Sequence, residues 1–124
     1  MSPQRPRVLV VEDNRDAAEI LRRLLSSSGH EVKVAHDGLG GVEAAREWAP
    51  DVVLCDIGLP GLDGFGVATA LRQESAAVRP RLVAITAYGD EETRQRAKDC
   101  GFDYFFVKPV DLDSIIRLLD VPPA

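Results

Sequence analysis

The fold is decided by four short apolar runs: VLVV at 8–11, VVLC at 52–55, LVAI at 82–85 and YFFV at 104–107. Short apolar runs separated by helical stretches are typical of parallel strands in an α/β sheet. Polar residues follow the four runs in turn: Glu12 with Asp13, then Asp56, Thr86 and Lys108. Ligands bind such sheets outside the carboxyl ends of the strands. The sequence therefore predicts a site where three carboxylates, a hydroxyl and an ammonium meet at one sheet edge.

Five strand–helix units account for the rest of the chain. The strands are expected at about 7–11, 31–35, 51–56, 81–86 and 103–107. Asn14 and Asp90 are good N-caps for the first and fourth helices, and Gly29 and Gly101 end those helices. The third helix is expected at 65–73, and Pro50 ends the second. Alternating units with short connections predict a parallel sheet covered by helices on both faces.

Length and composition limit the classes of function. A chain of 124 residues fits a single domain, with a core at about 7–119 and tails or linker remnants at 1–6 and 120–124. The net charge of −5 argues against binding nucleic acid directly. No apolar stretch approaches the roughly 20 residues of a membrane span, and residues 1–7 lack the apolar segment of a signal peptide. We therefore expect no membrane contact and a cytoplasmic location.

Several reactive or charged residues outside the site are expected to have structural roles. Cys55 and Cys100 are expected to be two buried thiols, because a disulfide or metal pair would need an oxidising compartment or more ligands. His30 and His36 are expected at the surface and not as phosphodonors. A solvated helix face, with a partner contact as the lesser alternative, is expected for Arg94, Arg96 and Lys98.

Four motifs, in this order, resemble the receiver (response-regulator) domain of two-component signalling: VVEDN at 10–14, DIGLPGLDG at 56–64, ITA at 85–87 and VKP at 107–109. The resemblance covers essentially the whole chain, from Arg7 to about Leu119. It implies a flavodoxin-like, doubly wound sheet of five parallel strands in the order 2-1-3-4-5, with five helices.

The resemblance also implies a phosphorelay chemistry. Asp56 would be the nucleophile that accepts a phosphoryl group from the phosphohistidine of a histidine kinase or histidine phosphotransfer domain, in the manner of other carboxylate nucleophiles. Lys108 would pair with the phosphoryl oxygens, and Thr86 would hydrogen-bond the attached group. Such a domain is not a stand-alone turnover enzyme, but it catalyses its own phosphorylation and dephosphorylation.

Mg²⁺ is the cofactor that the resemblance implies. Asp13 and Asp56 would be its carboxylate ligands, Glu12 would act mainly through water, and the backbone carbonyl of Gly58 would complete the set. Charge arithmetic supports a cation, because two like charges about 4 Å apart cost on the order of 4 kcal/mol at an effective dielectric near 20.

A second state is implied as well. In the family, the phosphorylated form draws the hydroxyl residue inward and an aromatic on the fifth strand changes rotamer; here these are Thr86 and Phe105. Phe105 could equally be a plain packing residue. The expected output surface is the fourth helix, fifth strand and fifth helix, through which a homodimer could also form; the sequence does not give the oligomeric state. Residues 101–111 look like those of C-terminal receivers of hybrid sensor histidine kinases, and we favour that origin.

Two other functions stay open at this point. A pseudo-receiver would bind partners without phosphorylation, but such domains usually lose an acidic or lysine position, and this chain keeps all of them. A phosphatase with an aspartyl-phosphate intermediate would need a second aspartate two residues after the nucleophile, where this chain has Gly58.

Overall fold

Strands and helices alternate throughout a computed structural model that describes residues 5–74 and 80–120. The five strands are β1 (Val8–Val11), β2 (Val32–Ala35), β3 (Val52–Asp56), β4 (Arg81–Thr86) and β5 (Tyr104–Val107). The five helices are α1 (Arg15–Ser27), α2 (Gly38–Trp48), α3 (Gly64–Gln73), α4 (Glu91–Cys100) and α5 (Leu112–Asp120).

All neighbouring strands pair in parallel, in the order β2-β1-β3-β4-β5. The expected doubly wound, flavodoxin-like fold is therefore confirmed. The register places Asp56 opposite Ile85, and Thr86 opposite Val107. The polar residues that directly follow β1 and β5, and those that end β3 and β4, consequently reach the same edge of the sheet.

The expected element bounds differ from the structure by about one residue. Four of the five strands begin one residue later than expected, and β4 has the expected bounds. Asn14 and Asp90 cap α1 and α4 as expected, each accepting a hydrogen bond from a backbone N–H three residues on. Asp63 does the same for α3, which therefore begins at Gly64 and not at Phe65.

The sheet separates two apolar clusters, because successive side chains of a strand point to opposite faces. On one face, Leu9, Val53 and Cys55 pack with residues of α2, α3 and α4. On the other face, Val10 and Leu54 pack with residues of α1 and α5. Both faces of β3 are thus buried, and Asp56 ends a strand that is enclosed on both sides.

The expected surface position of His30 is wrong. The residue is only 4% exposed, and its Nδ1 lies 2.9 Å from the carbonyl oxygen of Pro6. Only Nδ1 of the ring has a hydrogen-bond partner among the described residues, because Nε2 is buried without one. His36 is half-buried, with Nδ1 3.1 Å from the carbonyl oxygen of Glu12.

The two cysteines differ in burial. Cys55 is fully buried in β3, as expected, and burial raises the pKa of its thiol far above the usual range. Cys100, at the end of α4, is half-buried, so the expectation of a buried thiol is wrong for this residue. Both are free cysteines.

Some expectations concern residues that the structure does not describe. Of the expected tails at 1–6 and 120–124, residues 1–4 and 121–124 lie outside the described residues. Close to them, Arg5 and Asp120 form an exposed ion pair at 3.3 Å. Within the described ranges, no helix is long and apolar enough to cross a membrane.

Candidate functional site

The end of β1 supplies two carboxylates with different environments. The backbone N–H of Glu12 continues the sheet by donating to the carbonyl of Ala35 at 3.0 Å. The side chain of Glu12 is buried, whereas Asp13 is exposed. Asn14 follows at once as the cap of α1, so the chain turns sharply away and leaves both carboxylates at the sheet edge.

Asp56 is held at the end of β3 by its backbone surroundings. Its Oδ1 accepts a hydrogen bond from the N–H of Gly58 at 2.9 Å, and its side chain is 12% exposed. The first turn of α3 packs directly on this strand end. A Cβ at Gly64 would lie 2.7 Å from the carbonyl oxygen of Asp56 and 2.6 Å from the Cα of Ile57, so this close approach needs glycine.

Lys108 joins the two strand ends. Its Nζ lies 2.9 Å from Oε1 of Glu12 and 3.1 Å from Oδ2 of Asp56. The backbone N–H of Lys108 donates to the carbonyl of Thr86 at 2.7 Å, which extends the β4–β5 pairing and directs the chain toward the site. The structure thus brings together three residues that lie on three separate strand ends.

The three carboxylates form one cluster. Oxygen atoms of Glu12, Asp13 and Asp56 all lie within 4.8 Å of one another. When every group is ionised, the single ammonium of Lys108 leaves two negative charges uncompensated. A hard divalent cation that takes oxygen ligands fits both this charge and this donor set.

Burial and charge shift the pKa values of two groups here. Burial raises the pKa of Glu12, and the neighbouring Asp56 raises it further against the opposing effect of Lys108. For Lys108, burial lowers the pKa, but its hydrogen bonds to Glu12 and Asp56 outweigh burial and the net pKa is raised. Lys108 is therefore firmly cationic at neutral pH.

Thr86 and Phe105 lie on adjacent strands. Thr86 is fully buried, and its Oγ1 accepts a hydrogen bond from the N–H of Tyr88 at 3.0 Å. Phe105 is half-buried and packs on the apolar cluster beneath α4. The guanidinium of Arg94 lies 4.6 Å from the centre of its ring. Arg94, Arg96 and Lys98 are exposed, as expected of a solvated helix face. The contact of Arg94 with Phe105 was not predicted, because spacing along a helix does not show what a long side chain covers.

Curated proteins from several bacteria are similar to this chain in sequence. A protein-glutamate methylesterase/protein-glutamine glutaminase 5 of Myxococcus xanthus is 48% identical over 87 residues, which are 68% of this chain and 24% of that protein. The transcriptional regulatory protein PrrA of Mycobacterium tuberculosis is 38% identical over 90% of this chain and 47% of its own length. The chain thus spans about half or less of these relatives.

Solved structures share the fold over almost the whole chain. The chemotaxis protein CheY4 of Vibrio cholerae matches with a TM-score of 0.86 and 26% identity over 93% of this chain and 96% of that one. The receiver domain of the sensor histidine kinase PA1611 of Pseudomonas aeruginosa matches with a TM-score of 0.83 and 28% identity, over 92% and 93%. That structure holds a magnesium ion in its active-site cleft.

The family model of the response regulator receiver domain matches residues 8–120. This range includes every strand and helix of the sheet and the whole carboxylate cluster. The resemblance inferred from the four motifs is confirmed, and a phospho-accepting role is consistent with it. The chain belongs to the family of response regulator receiver domains.

Proposed function

We propose that the chain accepts a phosphoryl group on Asp56 from a phosphohistidine of a histidine kinase or histidine phosphotransfer domain. The observation that carries the proposal is the pair of contacts from Lys108 to Asp56 and Glu12. An ammonium bound to both strand ends places a positive charge beside Asp56, the carboxylate that ends β3.

The transfer requires little covalent chemistry from the protein beyond the attack by Asp56. A carboxylate oxygen of Asp56 supplies the electron pair for a new O–P bond, while the P–N bond breaks and its pair returns to the leaving imidazole nitrogen. Positioning and charge neutralisation dominate such transfers. The N–H of Gly58 holds one oxygen of Asp56, which orients the carboxylate. Lys108 is close enough to move from Oδ2 of Asp56 to the incoming phosphoryl oxygens as a point charge.

The proposed cofactor is Mg²⁺. Asp13 and Asp56 would hold it directly, with the carbonyl of Gly58, and Glu12 would act through water. The bound ion would neutralise negative charge on the phosphoryl group. The cluster of three carboxylates supports this assignment, because it offers only oxygen donors and carries excess negative charge.

The proposed second state involves Thr86 and Phe105. The Thr86 hydroxyl accepts from the N–H of Tyr88, so its own proton is available to a phosphoryl oxygen at the sheet edge. Movement of Thr86 would alter the packing next to Phe105 on the neighbouring strand, a local change that biases a two-state element. The surface formed by α4, β5 and α5 would then report the state to a partner or to a second copy.

The origin and location of the chain stay predictions. Similarity to the receiver of a sensor histidine kinase supports an origin in a hybrid kinase, and similarity to a transcriptional regulator supports a response regulator equally. A cytoplasmic location is proposed on the same basis. The phosphatase alternative is not favoured, because Gly58 occupies the position where a second aspartate would act.

Intact-mass measurement after incubation with acetyl phosphate and Mg²⁺ tests the proposal. One phosphoryl group should appear on the wild type and be absent from Asp56→Asn. A phosphoryl group on both proteins would place the acceptor elsewhere. If neither protein is modified, a melting-temperature titration with beryllofluoride and Mg²⁺ decides: no shift in the wild type would contradict a phosphoryl site at Asp56.

A further inference from the structure

The attachment of α4 to the domain differs from that of the other helices. Its sequence, EETRQRAKDC, contains a single buried residue, Ala97. By contrast, α3 buries five of its residues, among them Phe65 and Leu71. The ends of α4 are capped locally by Asp90 and Gly101. Little apolar burial therefore holds this helix to the sheet.

Two guanidinium groups of α4 make further contacts with neighbouring elements. The Arg94 guanidinium lies 4.6 Å from the centre of the Phe105 ring on β5, and that of Arg96 lies 4.1 Å from the centre of the Phe65 ring on α3. A guanidinium at this distance over an aromatic face is attracted by the ring quadrupole. Among the residues that the structure describes, neither arginine has an ion-pair partner, so the rings are their principal contacts.

The two contacts lie on opposite flanks of the helix. Residues two apart on an α-helix are separated by about 200° around its axis. Arg94 accordingly reaches β5 on one side, and Arg96 reaches α3 on the other. Ala97 lies between these flanks and packs on the apolar cluster of the sheet. Arginine–ring contacts therefore lie on both sides of the buried Ala97.

We propose that Arg94 and Arg96 are the positioning residues that hold α4 on the domain, and that the stack on Phe105 couples this aromatic ring to the helix. When the Phe105 ring moves, Arg94 loses its ring contact, and α4 keeps the Arg96 stack and the packing of Ala97 and Cys100 on the apolar cluster. The first half of the proposal stands on the two stacks alone. The second half rests on the proposed function, because it requires Phe105 to move on phosphorylation.

Hydrogen exchange measured by mass spectrometry on the metal-free full chain tests the first half. Arg94→Gln and Arg96→Gln should each speed exchange of the α4 amides by about two- to fivefold, the effect of losing one guanidinium–aromatic contact at an exposed site. Exchange in α1 and α5 should not change. Unaltered exchange of α4 in both variants would overturn the proposal.

A double-mutant cycle separates the stack from the charge. In a Phe105→Leu background, Arg94→Gln should produce no further increase in exchange of α4, since the ring is already absent. An equal increase in both backgrounds would mean that Arg94 acts through its charge and would refute the coupling. Arg96→Gln should speed exchange equally in the wild type and in Phe105→Leu, because its partner is Phe65.

The second half is tested with Mg²⁺ and beryllofluoride. The wild type should show faster exchange of α4 on adding both, and Arg94→Gln should show no further increase. If the wild type binds beryllofluoride but the increase persists in Arg94→Gln, the coupling fails while the proposed function stands. If the wild type shows no melting-temperature shift with beryllofluoride, the proposed function fails, and the metal-free exchange result still decides whether the arginines hold α4.

Discussion

Asp13→Asn should stabilise the metal-free protein while destroying its response to Mg²⁺. Asp13 is exposed, and a carboxylate oxygen of Asp13 lies within 4.8 Å of those of Glu12 and Asp56. A like-charge pair at that distance costs about 3–4 kcal/mol at an effective dielectric of 20 and about 1 kcal/mol in bulk water. Because Asp13 is exposed, the water value is the better guide. Its removal should therefore raise the free energy of unfolding by about 1–2 kcal/mol.

The assay is thermal unfolding with and without Mg²⁺. In chelator, Asp13→Asn should melt a few degrees above the wild type, since about 1 kcal/mol shifts Tm by roughly 3–6 °C in a domain of this size. With the ion at a hundred times its Kd, the wild type should gain about 2.7 kcal/mol. The variant should gain little, so the order of the two melting temperatures should reverse.

Asp16→Asn is the matched control for this reversal. Asp16 is an exposed acid in the first turn of α1 and lies outside the carboxylate cluster. Its loss should lower stability slightly, because an acid in the first turn interacts favourably with the helix dipole. The response to Mg²⁺ should stay intact. A destabilised Asp13→Asn that keeps the wild-type Mg²⁺ shift would refute the electrostatic reasoning.

Three further predictions concern the same strand ends. Because the pKa of Glu12 is raised in the folded state, its contribution to stability is present below the unfolded pKa and lost as pH rises through the folded one. Urea unfolding in chelator should therefore show Glu12→Gln gaining on the wild type as the pH rises above 4.5, the ordinary pKa of a glutamate, and a constant difference would contradict this. The raised pKa of Lys108 implies a contribution that is present at neutral pH and lost above about pH 10.5. Lys108→Gln should cost about 1 kcal/mol in unfolding at pH 8 and little at pH 12; a cost that persists at pH 12 would argue against an ionic origin. Gly64→Ala should cost about 1–3 kcal/mol by thermal unfolding, because its Cβ would overlap the backbone of Asp56, whereas Gly58→Ala, whose Cβ would lie 3.6 Å from Oδ1 of Asp56, should be tolerated. Equal costs for the two alanines would show that the close approach at Gly64 is not what limits this turn.

Much of the site follows from the sequence because its residues end strands. Glu12 and Lys108 are 96 positions apart, yet both follow apolar runs, and parallel strands bring their ends to one edge. The order of the strands came from resemblance to a family, since periodicity alone does not select which strand lies beside which. Once that order is known, the contact of Lys108 with both carboxylates is expected.

The features that the sequence did not predict depend on side-chain reach and helix rotation. His30 follows a glycine at the end of a helix, a position typical of an exposed turn, and only the tertiary structure shows its ring beneath the Pro6 carbonyl. Arg94 and Arg96 are exposed, as expected of a solvated face, but the sequence did not predict that both would lie over rings of neighbouring elements. The local sequence of α4 contains no signal for either ring.

The unequal burial of the two cysteines makes the chain selectively reactive. Thiol reagents attack the thiolate, and Cys55 is both enclosed and far from ionising at neutral pH. Cys100 is partly accessible at the C-terminal end of α4. A maleimide spin label or fluorophore should therefore attach to Cys100 in the folded wild-type chain without any engineered substitution. The natural sequence thus provides a reporter on the helix that the two arginines hold.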